Sequence, residues 1–179
     1  ARYKAPIIEE PTPAKDTFVD LTAGVGVDFS FISSQFRQAV AVERQEYLCE
    51  IQRHNLPLLG LTHAQVEHAD AEDYLQKMQP VNWLFLDPAR RDANGGKVVS
   101  IPDCEPDVSA WEEQLLGKAE FVMVKLSPML DISLALHTLK HVKEVHVISV
   151  QNECKELLFI LDRNTHSIED ITLFDVHLH

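Results

Sequence analysis

Thr17–Asp28 reads TFVDLTAGVGVD. Thr17 to Leu21 is a short apolar run with the character of a buried strand, and Gly24 and Gly26 follow it in a turn. From Asp28 to Gln35 the apolar residues take helical spacing, so the stretch predicts strand, glycine turn, helix. Glycines let the backbone approach a ligand closely, and a helix N-terminus carries partial positive charge that suits a carboxylate or phosphate. Asp28 is placed to cap that helix. G-x-G alone is a weak signal, because two glycines also serve a tight turn that binds nothing.

The same alternation continues along the chain. Gln38 to Val42 predicts a second strand, followed by a helix from about Gln45 to Asn55 that Pro57 and Gly60 close. Ala64 to His68, a helix over Ala71 to Met78 and a strand over Trp83 to Leu86 follow, the last ending at Asp87-Pro88. From Pro88 to about Val108 neither period is present, and loops of that length tend to be functional. A helix around Ala110 to Leu116, a strand over Phe121 to Leu126 and a helix from about Asp131 to Lys140 come next. Val145 to Val150 and Leu157 to Leu161 predict an antiparallel hairpin joined by QNECKE. Strands alternating with helices predict an α/β, Rossmann-like domain over residues 16–162, with a mostly parallel sheet of seven strands and helices on both faces. Residues 1–15, with three prolines, are expected to cross over from an upstream region. Residues 163–179 suit either one more strand or the start of a downstream domain.

Composition sets the class. Of 179 residues 45 % are hydrophobic and 25 % charged, the mixture of a globular protein with a core. No apolar run is long enough to span a membrane as a helix. The three cysteines, Cys49, Cys104 and Cys154, are too scattered for a disulfide framework, so a reducing, cytoplasmic setting is expected. Sixteen basic residues against 28 acidic give a net charge of −12, which repels polyanions unless the basic groups gather on one face.

In an open parallel sheet, ligands bind beyond the carboxyl ends of the strands. After strand two stands Glu43, suited to accept hydrogen bonds from both hydroxyls of a ribose. After strand three Asp70 can receive an adenine amino group while Ala71 leaves room for the ring; alone, Asp70 would be a helix cap. After strand four comes DPARR, with Asp87 at the strand end, Pro88 stiffening the loop, and Arg90 and Arg91 projecting outward. Each acid sits directly after its own strand, and this joint order carries more weight than any single position.

This ordered set resembles the class I S-adenosylmethionine-dependent methyltransferases, over roughly Asp16 to Leu161. The resemblance implies a seven-stranded sheet with an antiparallel last strand, and S-adenosylmethionine as cofactor. It implies that Asp20, Gly24 and Gly26 belong to the motif that surrounds the methionine part of the cofactor, with Thr22, Asp28 and Arg44 also among the cofactor-binding residues. Glu43 would hold the ribose, Asp70 with Ala71 the adenine, and Asp87 and Pro88 would lie next to the methyl group. DPARR is most similar to the D-P-P-R and N-P-P-Y loops of nucleic-acid methyltransferases, especially RNA enzymes of the THUMP-associated or THUMP-like subgroup. DLTAGVGVD is also like a first motif of ribosomal RNA guanine-N2 methyltransferases. Ala89 and Arg90 depart from the adenine-N6 form, which argues against an adenine acceptor.

The resemblance therefore implies methyl transfer to a nitrogen of RNA by direct in-line displacement, with Asp87 orienting or deprotonating the nucleophile. Arg90, Arg91, Lys125 and Ser127 are the candidate substrate contacts, and RNA is expected to be gripped through regions outside these residues. Methylation of a pyrimidine carbon needs a cysteine nucleophile, and neither DPARR nor VKLSPML supplies one. No metal is expected: His137 and His141, four apart on a predicted helix, lack the glutamate of H-E-x-x-H. A nicotinamide-dependent oxidoreductase would need a third glycine where Phe29 stands. A small-molecule or protein methyltransferase stays open as an alternative, as does a non-catalytic methyltransferase-like scaffold, and the oligomeric state is undetermined.

Overall fold

A computed structural model describes residues 1–8, 15–90 and 100–178, the side chain of Arg90 excepted. The chain divides into two compact units, Ala1–Leu86 and Asp87–His179.

The first unit opens with a short helix α1 (Lys4–Ile7) and continues through β1 (Thr17–Asp20), α2 (Val27–Ser33), β2 (Gln38–Glu43), α3 (Glu46–Leu58), β3 (Ala64–His68), α4 (Ala71–Lys77) and β4 (Val81–Leu86). Its strands lie in the order β4-β1-β2-β3, all parallel. Because β1 and β4 are neighbours while β2 and β3 lie on the other side of β1, the direction of winding reverses between β1 and β4. Such a switch point opens a crevice at the carboxyl ends of the strands. Beneath the sheet Phe18 stacks between Phe29 and Phe36, with centroids 5.8 and 5.2 Å away, and all three rings are buried. This anchors α2 on β1, which fixes where the glycine turn projects.

The second unit contains a two-stranded ribbon of β5 (Ala89–Arg90) and β6 (Cys104–Glu105), then α5 (Val108–Lys118), β7 (Ala119–Leu126), α6 (Ile132–Thr138), β8 (Val142–Val150), β9 (Glu153–Asp162) and β10 (Thr172–Leu178). The order here is β7-β9-β8-β10. β9 runs antiparallel to both β7 and β8, and β10 runs parallel to β8. The run Leu157 to Asp162 is buried at every position, as a strand flanked on both sides requires.

Four long strands in each unit make eight, one more than the seven expected, and the extra one is β10, which lies in the ITLFDVHL segment. The antiparallel strand is therefore β9, while the last strand is parallel to its neighbour. The hairpin connection is far shorter than QNECKE: only Gln151 and Asn152 form the turn, at φ of 50° and 62°. Asparagine tolerates that left-handed conformation, and two such residues match the twist of the flanking strands. Pro57 does not close α3. It sits inside the last turn, where the helix runs on to Leu58, and Gly60 at φ 77° makes the exit.

Candidate active site

The loop after β1 is tied down by backbone bonds before any side chain acts. Leu21 N–H donates to the carbonyl of Phe85 on β4 at 3.0 Å, and Ala23 N–H to that of Val42 on β2 at 3.0 Å. Gly26 N–H then turns back to the Ala23 carbonyl at 2.8 Å. Gly24 and Gly26 have φ of 56° and 83°, conformations that a Cβ disfavours. A Cβ built on Gly24 would meet nothing within 4 Å, so its Cα faces open space that a ligand can enter. Gly26 is different: a Cβ there would lie 3.2 Å from Gln52 Oε1.

Three carboxylates stand at or just beyond the ends of adjacent strands of the first unit, Asp20 and Glu43 as the last residues of β1 and β2 and Asp70 two residues past β3. Asp20 is buried, and its Oδ1 accepts from Thr22 N–H at 2.9 Å and from the Thr22 hydroxyl at 3.5 Å. Glu43 is 8 % exposed. Its Oε2 accepts from Gly24 N–H at 2.9 Å and its Oε1 from Gln45 N–H at 2.8 Å. Glu43 thus braces the glycine loop against the start of α3, in addition to any ligand it could bind. Its carbonyl accepts from Ala69 N–H at 3.1 Å and from the Cys49 thiol at 3.3 Å, which links the ends of β2 and β3. Asp70 is exposed and caps α4 through a 2.9 Å bond from Glu72 N–H, with Ala71 opening the helix beside it. Arg44 follows Glu43, and its carbonyl meets His68 Nε2 at 3.1 Å.

Asp28 departs from expectation. The cap position of α2 belongs to Gly26, and Asp28 lies inside the first turn, where its carboxylate pairs with Lys4 at 2.9 Å. Lys4 is almost wholly buried, so Asp28 neutralises a charge brought in by α1, a segment whose docking its own sequence does not announce.

In the second unit Asp87 and Lys125 form a 2.6 Å ion pair, both partly exposed. Asp87 follows β4 directly and Lys125 lies near the end of β7. Two positions assigned separately, one to catalysis and one to substrate, are thus partners. Ser127 accepts from Met129 N–H at 3.2 Å. Pro88 leads into the β5–β6 ribbon, in which Arg90 pairs with Cys104 through its backbone. Arg91 lies outside the described residues.

His137 and His141 do not share a helix face, because α6 stops at Thr138. His137 Nδ1 meets the Ser133 carbonyl and His141 Nδ1 that of Thr165. Among the described residues no cluster of three His, Cys, Asp or Glu side chains could hold a metal. Burial pushes the Cys49 and Cys154 thiols up, away from the thiolate form a nucleophile needs.

One residue escaped the sequence reading. Gln52, on α3, is buried, and its Nε2 donates to the Gly24 carbonyl at 2.8 Å. Its Oε1 is buried without a partner, at a cost of about 1 to 3 kcal/mol. The only signal available was an amide at a helix position that faces the core.

No family model matches the chain, and no curated protein does. Among solved structures, a candidate methyltransferase from Porphyromonas gingivalis W83 is 32 % identical and superposes with a TM-score of 0.83 over 99 % of this chain. A candidate class I S-adenosylmethionine-dependent methyltransferase from Listeria monocytogenes gives 0.70 at 11 % identity, over 97 % of this chain and 63 % of that one. The fold is that of the class I methyltransferases. An rRNA methylase from Streptococcus thermophilus shares it, with a TM-score of 0.64, 14 % identity and coverage of 89 % of this chain and 93 % of that one. The chain spans 44 % of the length of the P. gingivalis protein. No described helix is long and apolar enough to cross a membrane.

Proposed function

We propose that the chain is an S-adenosylmethionine-dependent methyltransferase domain that transfers methyl to a nitrogen of RNA by direct in-line displacement. The observation that carries the cofactor reading is the row of Asp20, Glu43 and Asp70 at the ends of β1, β2 and β3, beside a switch point, with Glu43 tied to the glycine loop. The residues fit that group. Gly24 presents bare backbone to open space, Glu43 offers carboxylate oxygens to a diol, and Asp70 with the small Ala71 suits an aromatic amine. Asp20 and Thr22 shape the turn beneath. A structure from Streptococcus mutans of the same fold, with a TM-score of 0.56, holds S-adenosylhomocysteine, in keeping with this reading.

When bound, the cofactor supplies a methyl group on a sulfonium and departs as S-adenosylhomocysteine. The chain's own residues place and desolvate the nucleophile. Asp87 accepts a hydrogen bond from the acceptor's N–H, which aims the nitrogen lone pair, and takes the proton once the N–C bond has formed. Lys125, 2.6 Å away, holds that carboxylate in place. Arg90 and Arg91 grip phosphate. No covalent enzyme intermediate is required, in keeping with thiols that burial keeps protonated. The RNA acceptor and a place in the THUMP-like subgroup are supported by the DPARR loop, and the rRNA methylase neighbour is consistent with RNA. The net charge of −12 favours a second reading, a small-molecule or protein acceptor.

The test is to incubate the full-length protein, labelled S-adenosylmethionine and an extract from cells lacking this protein, and then to fractionate the label. Label in RNA supports the proposal, and label confined to protein or small molecules moves the acceptor to the second reading. Cofactor binding without transfer to any fraction would make the domain a scaffold.

A further inference from the structure

The buried amide of Gln52 points to a function. Helix α3 otherwise turns Cys49 and Leu56 inward, and an apolar side chain at position 52 would fill the same space without leaving an oxygen unpartnered. What the amide supplies is its N–H: Nε2 donates to the Gly24 carbonyl at 2.8 Å. The amide cannot be turned round, because the Gly24 carbonyl needs a donor, and turning would bring oxygen against oxygen. Gly24 is therefore held at both of its polar groups, its N–H by Glu43 from the end of β2 and its carbonyl by Gln52 from α3. Two residues later, the same side chain lies under Gly26, its Oε1 3.2 Å from the site of a Cβ, a tighter approach than an ordinary contact. Gln52 thus sets both the orientation of the Gly24 peptide and the height of the Gly26 backbone.

We infer that Gln52 is a positioning residue that holds the glycine loop in the shape that receives the amino-acid end of the cofactor. The inference rests on the cofactor reading above. It is specific in its consequence: contacts to the adenosine part come from Glu43 and Asp70, which the Gln52 amide does not touch, whereas contacts to the methionine part come from the loop that it holds. Loss of the amide should therefore weaken ligands that carry the amino acid and spare those that lack it.

The experiment is calorimetric titration of the full-length protein with S-adenosylhomocysteine and with 5′-methylthioadenosine, which lacks the amino-acid end. Wild type is compared with Gln52→Met, which keeps the bulk and loses the donor, and with Gln52→Leu as a second apolar filling. Cooperative thermal unfolding without ligand checks the fold of each variant. Losing one neutral hydrogen bond that orders the loop predicts S-adenosylhomocysteine binding about five- to tenfold weaker in both variants, with 5′-methylthioadenosine unchanged within twofold. Equal binding of both ligands by wild type and variants would overturn the positioning role while leaving the cofactor reading intact. A parallel loss of both ligands would also overturn it, since that is the mark of a general structural role. Failure of wild type to bind either ligand would remove the cofactor reading and this inference together.

Discussion

Glu43→Gln separates the two tasks that the structure gives this residue. In wild type each carboxylate oxygen accepts one backbone N–H, from Gly24 at 2.9 Å and Gln45 at 2.8 Å. A glutamine keeps one carbonyl oxygen but turns its NH2 group toward the other donor, so one charge-assisted bond is lost and two donors face each other in a site with little access to water. Hydrogen bonds to charged groups contribute about 1.5 to 3 kcal/mol each, so a loss of about 2 to 3 kcal/mol is expected in the ligand-free protein. In a chain of this size that lowers the thermal midpoint by about 4 to 12 °C. Urea unfolding of wild type and variant without ligand measures the first effect, and titration with S-adenosylhomocysteine measures the second. A variant as stable as wild type to within about 0.5 kcal/mol would refute the bracing argument. Lower stability with unchanged affinity would keep Glu43 as a brace and remove it from the ribose site.

Gly24→Ala and Gly26→Ala should part company. The first places its methyl in open space, so it costs only the left-handed strain of about 1 to 2 kcal/mol yet blocks the cofactor approach, which titration would show as lost binding in a folded protein. The second adds a 3.2 Å contact with Gln52 and should destabilise the ligand-free protein more, as read by its urea midpoint. Lys125→Met breaks a partly exposed pair, so stability should change by less than about 1 kcal/mol while single-turnover methyl transfer falls; an unchanged transfer rate would take the pair out of the mechanism. Burial raises the Cys49 thiol above its ordinary value of 9.0, so the folded state keeps a proton that the unfolded chain gives up in alkali. That contribution is whole below the ordinary value and is lost as pH climbs through the folded one. Wild type should therefore lose more stability between pH 8 and pH 10.5 than Cys49→Ala, and equal losses would contradict the assigned burial effect.

Short-range patterns carried most of this protein into view. TFVDLTAGVGVD declares strand, turn and helix because apolar spacing and glycine conformation are local properties, and acids directly after strands declare themselves by order alone. β3 occupies Ala64–His68, the span expected, since its ends are set by Gly60 on one side and the Asp70 cap on the other. What only tertiary structure decided are the partners. Asp28 looked like a cap until Lys4 arrived from α1, and Asp87 and Lys125, 38 residues apart, became one ion pair. Residues 172–178 turned into a strand because β8 offered an unpaired parallel edge, which their own composition does not reveal. Gln52 remained hidden for the same reason: which atom a buried amide meets depends on where a helix and a loop from another part of the chain are packed, and no local pattern encodes that distance.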